Sequence, residues 1–581
     1  MVGLAVLLVL SAAVCALALR LGFHQRLPLL LFNDLRVSGL VDFAARRYRH
    51  RILVELEEPL GWRVPGDPHD PRPRLWSARR IRHVVARVAA ILTRRLSLAP
   101  GDRVVIYKAN DFDIFLFSLA ITRAGGISVP VNGKLAPTSL EQYLRHVGAT
   151  VLFCDRQALA SLASEGVRLD SVRHIVVIDV SAGDEIDSSV RAVASTAGGH
   201  ALEELFATVP GQLPAVARGP DDPLYLVHTS GTTGFPKAVI LLNRGLTASL
   251  RAALVFNLVR RRDVAYFATP FNHQVTHLYL NGLLAFGGRA ILSRTFDATR
   301  TLKTIQQRAV TIFFGFPIAY TQLIAEDLTR HDLSSMRIWA TTADASHEVH
   351  QRTLVRFGGF LKQLGIPVPG SVFVDGLGSS EVGIAALLRI VGPWTRKFER
   401  RVGRPIPFFG PKVKVVDHNG KSVHGAAPGR LMIKGPCMFG GYWNNHDTLF
   451  AASADGWWFT GDIVSKAADG SYIHLDREVD VIHQANGASY TLPMEEEILK
   501  HPAVYDATVF AYQQDGNVPV AAAAIALKPA FAHLGDDQLR DELNQRLAER
   551  DHLAIVRARP WSEFPIGVTG KTLKRAFRSG A

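Results

Sequence analysis

Between Tyr225 and Ala238 the chain reads Tyr-Leu-Val-His-Thr-Ser-Gly-Thr-Thr-Gly-Phe-Pro-Lys-Ala, an apolar run ending in small hydroxyl residues, glycines and a lysine. Gly231 and Gly234 let the backbone approach a phosphate closely. Thr229, Ser230, Thr232 and Thr233 offer hydroxyl donors there, and Lys237 adds positive charge. The G-x-x-x-x-G-K-[ST] spacing of a Walker A loop is absent. A plain polar turn is the alternative, but so long a run directly after a strand-like segment favours anion binding. Other chemistry-bearing types are carboxylates in small-residue settings, Glu381 after Gly-Ser-Ser and Asp462 after Thr-Gly, and the lysines of Gly-Lys571-Thr-Leu-Lys574-Arg575. Taken alone, an Asp in a Gly-Asp turn is a turn former and a C-terminal basic cluster is a solvated tail.

Taken in order, these segments resemble the signatures of the adenylate-forming superfamily: acyl-CoA synthetases, luciferases and the adenylation domains of peptide synthetases. The resemblance runs from about residue 75 to 578. It implies that residues 229–237 bind phosphate and that Glu381, in Val-Asp-Gly-Leu-Gly-Ser-Ser-Glu-Val-Gly (374–383), ligates Mg2+ beside the nucleotide. Ser380 then takes the place of a threonine that donates to phosphate. Leu377 replaces a usual tyrosine and gives adenine no stacking platform. Asp462, in Gly-Trp-Trp-Phe-Thr-Gly-Asp, is expected to accept from the ribose hydroxyls, and Arg477 to touch the same sugar. Lys571 matches the family's catalytic lysine, which offsets the repulsion between a carboxylate and the α-phosphate of ATP. Lys574 is expected to be a solvated tail charge. The stretch after Arg477 departs from the family, with His483 and Asn486-Gly487 where Lys and Gly are usual and a longer run to Pro493.

For the acid substrate, the resemblance points to His273 of Thr-Pro-Phe-Asn-His, to Phe314 and Gly315 of Thr-Ile-Phe-Phe-Gly-Phe-Pro, and to Gly376 as pocket walls. No aspartate stands near His273 to bind an α-ammonium, so an apolar acid is expected. Asp344, in Thr-Thr-Ala-Asp-Ala, either lies near the nucleotide or caps a helix. The expected activity is ATP-dependent conversion of a fatty, long-chain acid to acyl-AMP and then to acyl-CoA, with ATP, Mg2+ and CoA as cofactors and co-substrates. Thr229, Glu381 and Lys571 are the expected catalytic residues. Two rivals stay open: an acyl-AMP ligase loading a carrier protein, and a lipid-binding or uptake protein on the same fold.

The elements that must position these residues follow from periodicity. Residues 77–96 carry Ile81, Val84, Val85, Val88, Ile91 and Leu92 at helical spacing. Residues 101–111 read as a turn into a buried strand, and 112–132 as a helix, a Gly-Gly stop and a second strand. Strand-like and helical runs alternate to about residue 390, the pattern of an α/β fold with largely parallel sheets. Short strands at 413–417, 429–435 and 470–476 add a small β-barrel-like part. The expected fold class is α/β, with a large N-terminal domain (76–476) and a small mobile α+β C-terminal domain (477–581) carrying Lys571.

At 581 residues the chain has ample core-forming capacity. Its three cysteines follow no disulfide or metal-ligand spacing. The net charge is 66 minus 52, or +14, and residues 20–100 hold sixteen arginines against seven acids. No nucleic-acid-binding motif accompanies that charge. Residues 1–19 carry no ionisable side chain, and basic residues follow them. A single-pass membrane anchor is expected there, with residues 20–75 as a basic segment against the bilayer and the catalytic domains on the cytoplasmic side. A signal peptide or a buried apolar helix are the alternatives.

Overall fold

The computed structural model describes residues 11–12, 15–31, 35–64, 71–180, 198–229, 236–256, 258–342, 346–407, 410–485, 487–513, 518–567 and 572–578. Ser230 to Gly234, Asp344 and Lys571, all expected near the chemistry except for the ambiguous Asp344, lie outside these residues.

Uninterrupted runs of Val, Ile, Leu and Phe form strands buried on both faces, which require helices on either side. Two sheets result. One has seven strands in the order 199–201, 174–177, 149–154, 103–108, 127–132, 223–229 and 237–242. All neighbours in it are parallel except the last pair, in which Thr229 stands opposite Lys237. The second sheet contains the parallel series 52–56, 289–292, 264–268, 312–315, 338–341 and 372–378. It continues through antiparallel strands 385–391, 401–405, 472–477, 457–466, 429–434 and 412–416, which include the three short strands expected from sequence.

The helix Ala78–Arg94 packs the expected stripe inward, with Ile81, Val84, Val85, Val88, Ile91 and Leu92 all buried. Ser77 caps it, its side chain accepting from the Arg80 amide at 3.2 Å. The smaller C-terminal unit has strands Val504–Tyr512, Val520–Leu527 and Ile555–Ala558 and helices Thr491–Ile498 and Asp536–Asn544. The alanine-rich strand 520–527 is apolar at every position because both its faces are covered. Ala521, Ala523 and Ile525 meet one cluster, and Ala522, Ala524 and Ala526 meet Phe510, Phe564 and Phe577.

The N-terminal expectation is overturned. Among the described residues no helix is long and apolar enough to cross a membrane, so neither a single-pass anchor nor a cytoplasmic placement deduced from one stands. The chain is helical over 15–20, turns at Leu21-Gly22, where Gly22 has φ +75°, and runs into the helix Phe23–Leu31. That helix packs on the large domain, with Leu29 fully buried. The Arg20 guanidinium donates to the Leu364 carbonyl. Residues expected beside a bilayer, including Leu35, Leu40, Phe43, Leu53 and Trp62, are core residues. Arginines read as lipid-facing charges serve internal contacts instead: Arg51 donates to the Arg261 carbonyl at 2.7 Å.

Candidate functional site

The carboxyl ends of the parallel strands 264–268, 312–315, 338–341 and 372–378 lie side by side, and open α/β sheets place ligand crevices there. A cavity of about 440 Å³ occupies this edge. His273, Gln274, Phe314, Thr341, Gly376, Gly378, Ser380 and Glu381 line it from one sheet, and His228, Thr229 and Lys237 from the other. Trp458, Thr460, Gly461 and Arg477 close it from the antiparallel part.

Of the described residues expected at the site, Thr229, Lys237, His273, Phe314, Gly376, Ser380, Glu381 and Arg477 share this cavity. Gly315 does not line it. A Cβ there would meet the Phe313 ring at 2.6 Å and Ala319 Cβ at 3.2 Å, so the glycine serves close packing on the other side of the strand. Leu377 does not line it either, because alternate residues of the strand 372–378 face opposite ways. Gly376 and Gly378 border the cavity, while Leu377 packs on the core of the antiparallel part.

Glu381 is 7% exposed and accepts from the Tyr442 hydroxyl at 3.0 Å. Burial, and then the neighbouring Glu381 charge, push the Tyr442 phenol well up, so it stays a donor. The Lys237 ammonium sits 5.1 Å over the Tyr442 ring, near enough for a cation–π contact. Gly383, just beyond, has φ +75°, and a Cβ there would meet the Cys437 carbonyl at 2.6 Å; the chain can leave Glu381 in this direction only with glycine.

Asp462 and Arg477 are cross-strand partners. The Arg477 guanidinium donates to Asp462 at 3.1 Å and to the Thr460 carbonyl at 2.8 Å, and His474 Nε2 lies 3.2 Å from the same carboxylate. Burial alone would raise the Asp462 carboxyl, but the Arg477 charge and His474 outweigh it and hold the group well below the usual carboxylate range. Asp462 is therefore ionised; it does not itself line the cavity, but follows Gly461, at φ +84°, and pairs with Arg477, both of which do.

Sequence reasoning missed Tyr442, His474, Gln274 and His228. Gln274 donates to the Gly383 carbonyl at 3.0 Å and ties two cavity walls together. His228 Nε2 accepts from the Asn132 amide at 2.9 Å, and burial pushes the imidazole down to about 4, leaving it neutral. No local spacing marks Tyr442; His228 stood inside the motif but has neither a hydroxyl nor a fixed charge.

Two buried hydroxyls on the cavity wall, Ser379 Oγ and Thr341 Oγ1, have no hydrogen-bond partner among the described residues. Such groups suit a polar ligand rich in acceptors. No set of three His, Cys, Asp or Glu side chains able to hold a metal ion occurs among the described residues. A cation at Glu381 would need phosphate oxygens to complete its shell, which fits Mg2+ carried on a nucleotide. Part of the cavity wall is aromatic and apolar. Tyr279 and Phe314 rings lie 4.2 Å apart there, and burial pushes the Tyr279 phenol up to about 12.

Residues 64–443 match the family described as AMP-binding enzyme. Among curated proteins, a 3-aminoavenalumate diazotase of Streptomyces sp is 29% identical over 556 residues, covering 90% of this chain and 92% of the relative. A benzoate–CoA ligase of Thauera aromatica is 25% identical, with 85% and 89% covered. A long-chain-fatty-acid–CoA ligase of Yersinia pestis is 26% identical, with 91% and 94% covered. Among solved structures, an anthranilate CoA ligase bound to anthranoyl-AMP superposes with a TM-score of 0.77 at 22% identity, covering 94% of this chain and 98% of that one.

Proposed function

Because the chain belongs to the AMP-binding enzyme family, we propose that it joins an aromatic carboxylic acid to AMP and passes the acyl group to CoA. The observation that carries this is that one cavity is lined both by polar, anion-suited groups, Thr229, Lys237, Ser380 and Glu381, and by the rings of Tyr279 and Phe314. In the first step a carboxylate oxygen of the acid attacks the α-phosphorus of ATP; the new O–P bond forms as the bond to pyrophosphate breaks. Thr229 and Lys237 hold phosphate oxygens, and Asp462 and Arg477 hold the ribose. Glu381 would hold Mg2+, whose charge offsets that of the departing pyrophosphate. Lys571, which the resemblance assigns as the catalytic lysine, would offset the repulsion between the carboxylate and the α-phosphate. In the second step the CoA thiol gives up its proton and its sulfur attacks the acyl carbon; a C–S bond forms as the acyl C–O bond breaks, and AMP leaves with the bonding pair.

An aromatic rather than a long-chain fatty acid is favoured by the paired rings and by the benzoate- and anthranilate-activating proteins that the chain resembles. The fatty reading keeps the support of the Yersinia relative. The deciding experiment supplies purified protein with MgATP, CoA and benzoate, cinnamate or palmitate, follows pyrophosphate, and identifies products by mass. Aryl-AMP and aryl-CoA are expected. Palmitoyl-CoA formed in preference would move the substrate to the fatty class. An aryl-AMP that never reaches CoA would point to another acceptor, and no acid-dependent pyrophosphate would overturn the reading.

A further inference from the structure

The wall between the large cavity and a smaller one of about 20 Å³ is made of Ala253, Val259, Leu278, Tyr279 and Phe314, which line both. Tyr279 carries the one hydrogen-bonding side-chain group in that wall. It belongs to the helix Gln274–Phe286, in which every residue except Tyr279 and Gly282 is buried. Tyr279 keeps part of its surface open, and the cavities are what it opens onto. Its ring is held in place by aromatic neighbours. It lies 4.2 Å from the Phe314 ring and 6.5 Å from the Phe267 ring, and those two stack at 4.9 Å.

The hydroxyl, by contrast, makes no hydrogen bond to a described residue. Burial alone pushes the phenol up to about 12, so at neutral pH it is an uncharged group able to donate and to accept. A tyrosine hydroxyl set among apolar side chains ordinarily has a partner. The phenol also lies on the side of the large cavity. Burial first, and Tyr279 among its neighbours, push the Tyr320 phenol well up, and the Tyr320 hydroxyl donates to the Ala340 carbonyl at 2.6 Å. Ala340 lines the large cavity and not the small one. Lys237 and Arg477, the fixed cations that line the large cavity, are not part of this wall, and Arg26 lines only the small one. A neutral partner therefore suits the wall better than an anionic one.

We propose that Tyr279 is a specificity-determining residue whose hydroxyl pairs with a neutral hydroxyl or amino group on the ring of the aromatic acid. Such a group can accept from the phenol or donate to it, while Phe314, Ala253, Val259 and Leu278 meet the apolar part of the ring. The inference deepens the aromatic-acid reading and rests on it.

The test supplies purified full-length protein with MgATP, CoA and, one at a time, benzoate, cinnamate, the 2-, 3- and 4-hydroxy and amino derivatives of each, and palmitate. It scores kcat/KM for acid-dependent pyrophosphate release. Wild type is expected to use at least one substituted acid roughly 5- to 10-fold better than its own parent, the net effect of one hydrogen bond. Tyr279→Phe, which removes the oxygen and keeps the ring, should abolish that preference. The parent acid cannot make the bond, so the ratio is internal to each variant. Lost folded protein, or a general loosening of the wall, lowers both acids alike and does not move it. A wild type that prefers no substituted acid over its parent, or a preference that survives Tyr279→Phe, would overturn the inference while adenylation of aromatic acids stands. If palmitate alone releases pyrophosphate, or no acid does, the aromatic reading falls and the inference falls with it.

Discussion

Asp462 is the acceptor whose electrostatics are best defined, because Arg477 and His474 fix its charge before any ligand arrives. Replacing it by Asn keeps the shape and removes the charge. Hydrogen bonds to a charged acceptor contribute about 1.5–3 kcal/mol, so Asp462→Asn should raise KM for ATP roughly 10- to 100-fold with a smaller effect on KM for the acid. The folded carboxyl sits well below its ordinary 3.8, so it stays ionised through the acid range and wild-type KM for ATP should not vary with this group between about pH 5 and 8. A steady-state ATP titration at several pH values checks both; an unchanged KM in Asp462→Asn would remove Asp462 from the site. This residue was legible in sequence only because its Thr-Gly-Asp run resembles a signature of the superfamily; its cross-strand pairing with Arg477 was not. Tyr442 was not, because its contact with Glu381 spans 61 positions and no local spacing carries it. Gly315 was misread in the other direction: strand alternation turns it away from the cavity that Phe314 faces.

At the scale of elements, the C-terminal helix Lys574–Arg578 departs most from expectation. Lys574 is not a solvated tail charge. Its side chain is 14% exposed, pairs with Glu495 at 2.8 Å and donates to Thr491 at 2.5 Å. Asp476, 1% exposed, accepts from the Thr491 amide and hydroxyl in the same cluster. Phe577 stacks on Phe510 with centroids 5.3 Å apart. Composition could not foresee this, since a lysine near a terminus reads the same whether solvated or paired across 79 positions, 574 minus 495. Burial disfavours the Lys574 ammonium, but Glu495, Asp476 and Asp480 outweigh that and raise its pKa above the usual 10.5. The pair's contribution is thus complete below about pH 10.5 and lost only as pH rises through the higher folded value. Lys574→Met would leave Glu495 buried without its cation, at a cost of about 3–5 kcal/mol. Hydrogen exchange should therefore show faster opening of residues 491–512 in Lys574→Met than in wild type. Equal protection in wild type and Lys574→Met would mean that the ion pair contributes nothing.

For the whole molecule, the question is what holds the smaller unit against the larger one. Glu496, on the helix Thr491–Ile498, enters a socket in the large domain: the Glu348 amide donates to it at 2.6 Å, Arg400 at 3.2 Å, and His347 Nδ1 lies 3.4 Å away. His350 and Asp506 face the same cluster. Burial opposes the Glu496 charge, but His347 and Arg400 outweigh it and bring its pKa from 4.5 down to about 2. Burial likewise opposes a charged His347, and Glu496 outweighs it and raises the imidazole above 6.5. A depressed carboxylate stabilises above its unfolded value and loses that as pH falls from about 4.5 towards 2; a raised histidine stabilises below 6.5 and loses that as pH rises through its folded value. The docking is therefore strongest between about pH 4.5 and 6.5 and weakens as pH rises beyond 6.5. Members of the resembled superfamily reorient the smaller domain between acyl-AMP formation and thiol attack, and a contact present in one orientation biases the two steps unequally. Glu496→Gln, which keeps the socket filled but uncharged, should change the ratio of the two half-reaction rates by roughly 5- to 30-fold, the effect of 1–2 kcal/mol on a two-state balance. The ratio in wild type should drift the same way as pH rises from 6 to 8, and the drift should vanish in the variant. Single-turnover measurements of acyl-AMP formation, and of CoA capture of supplied acyl-AMP, give both rates; a ratio indifferent to Glu496→Gln and to pH would show that the socket does not govern orientation.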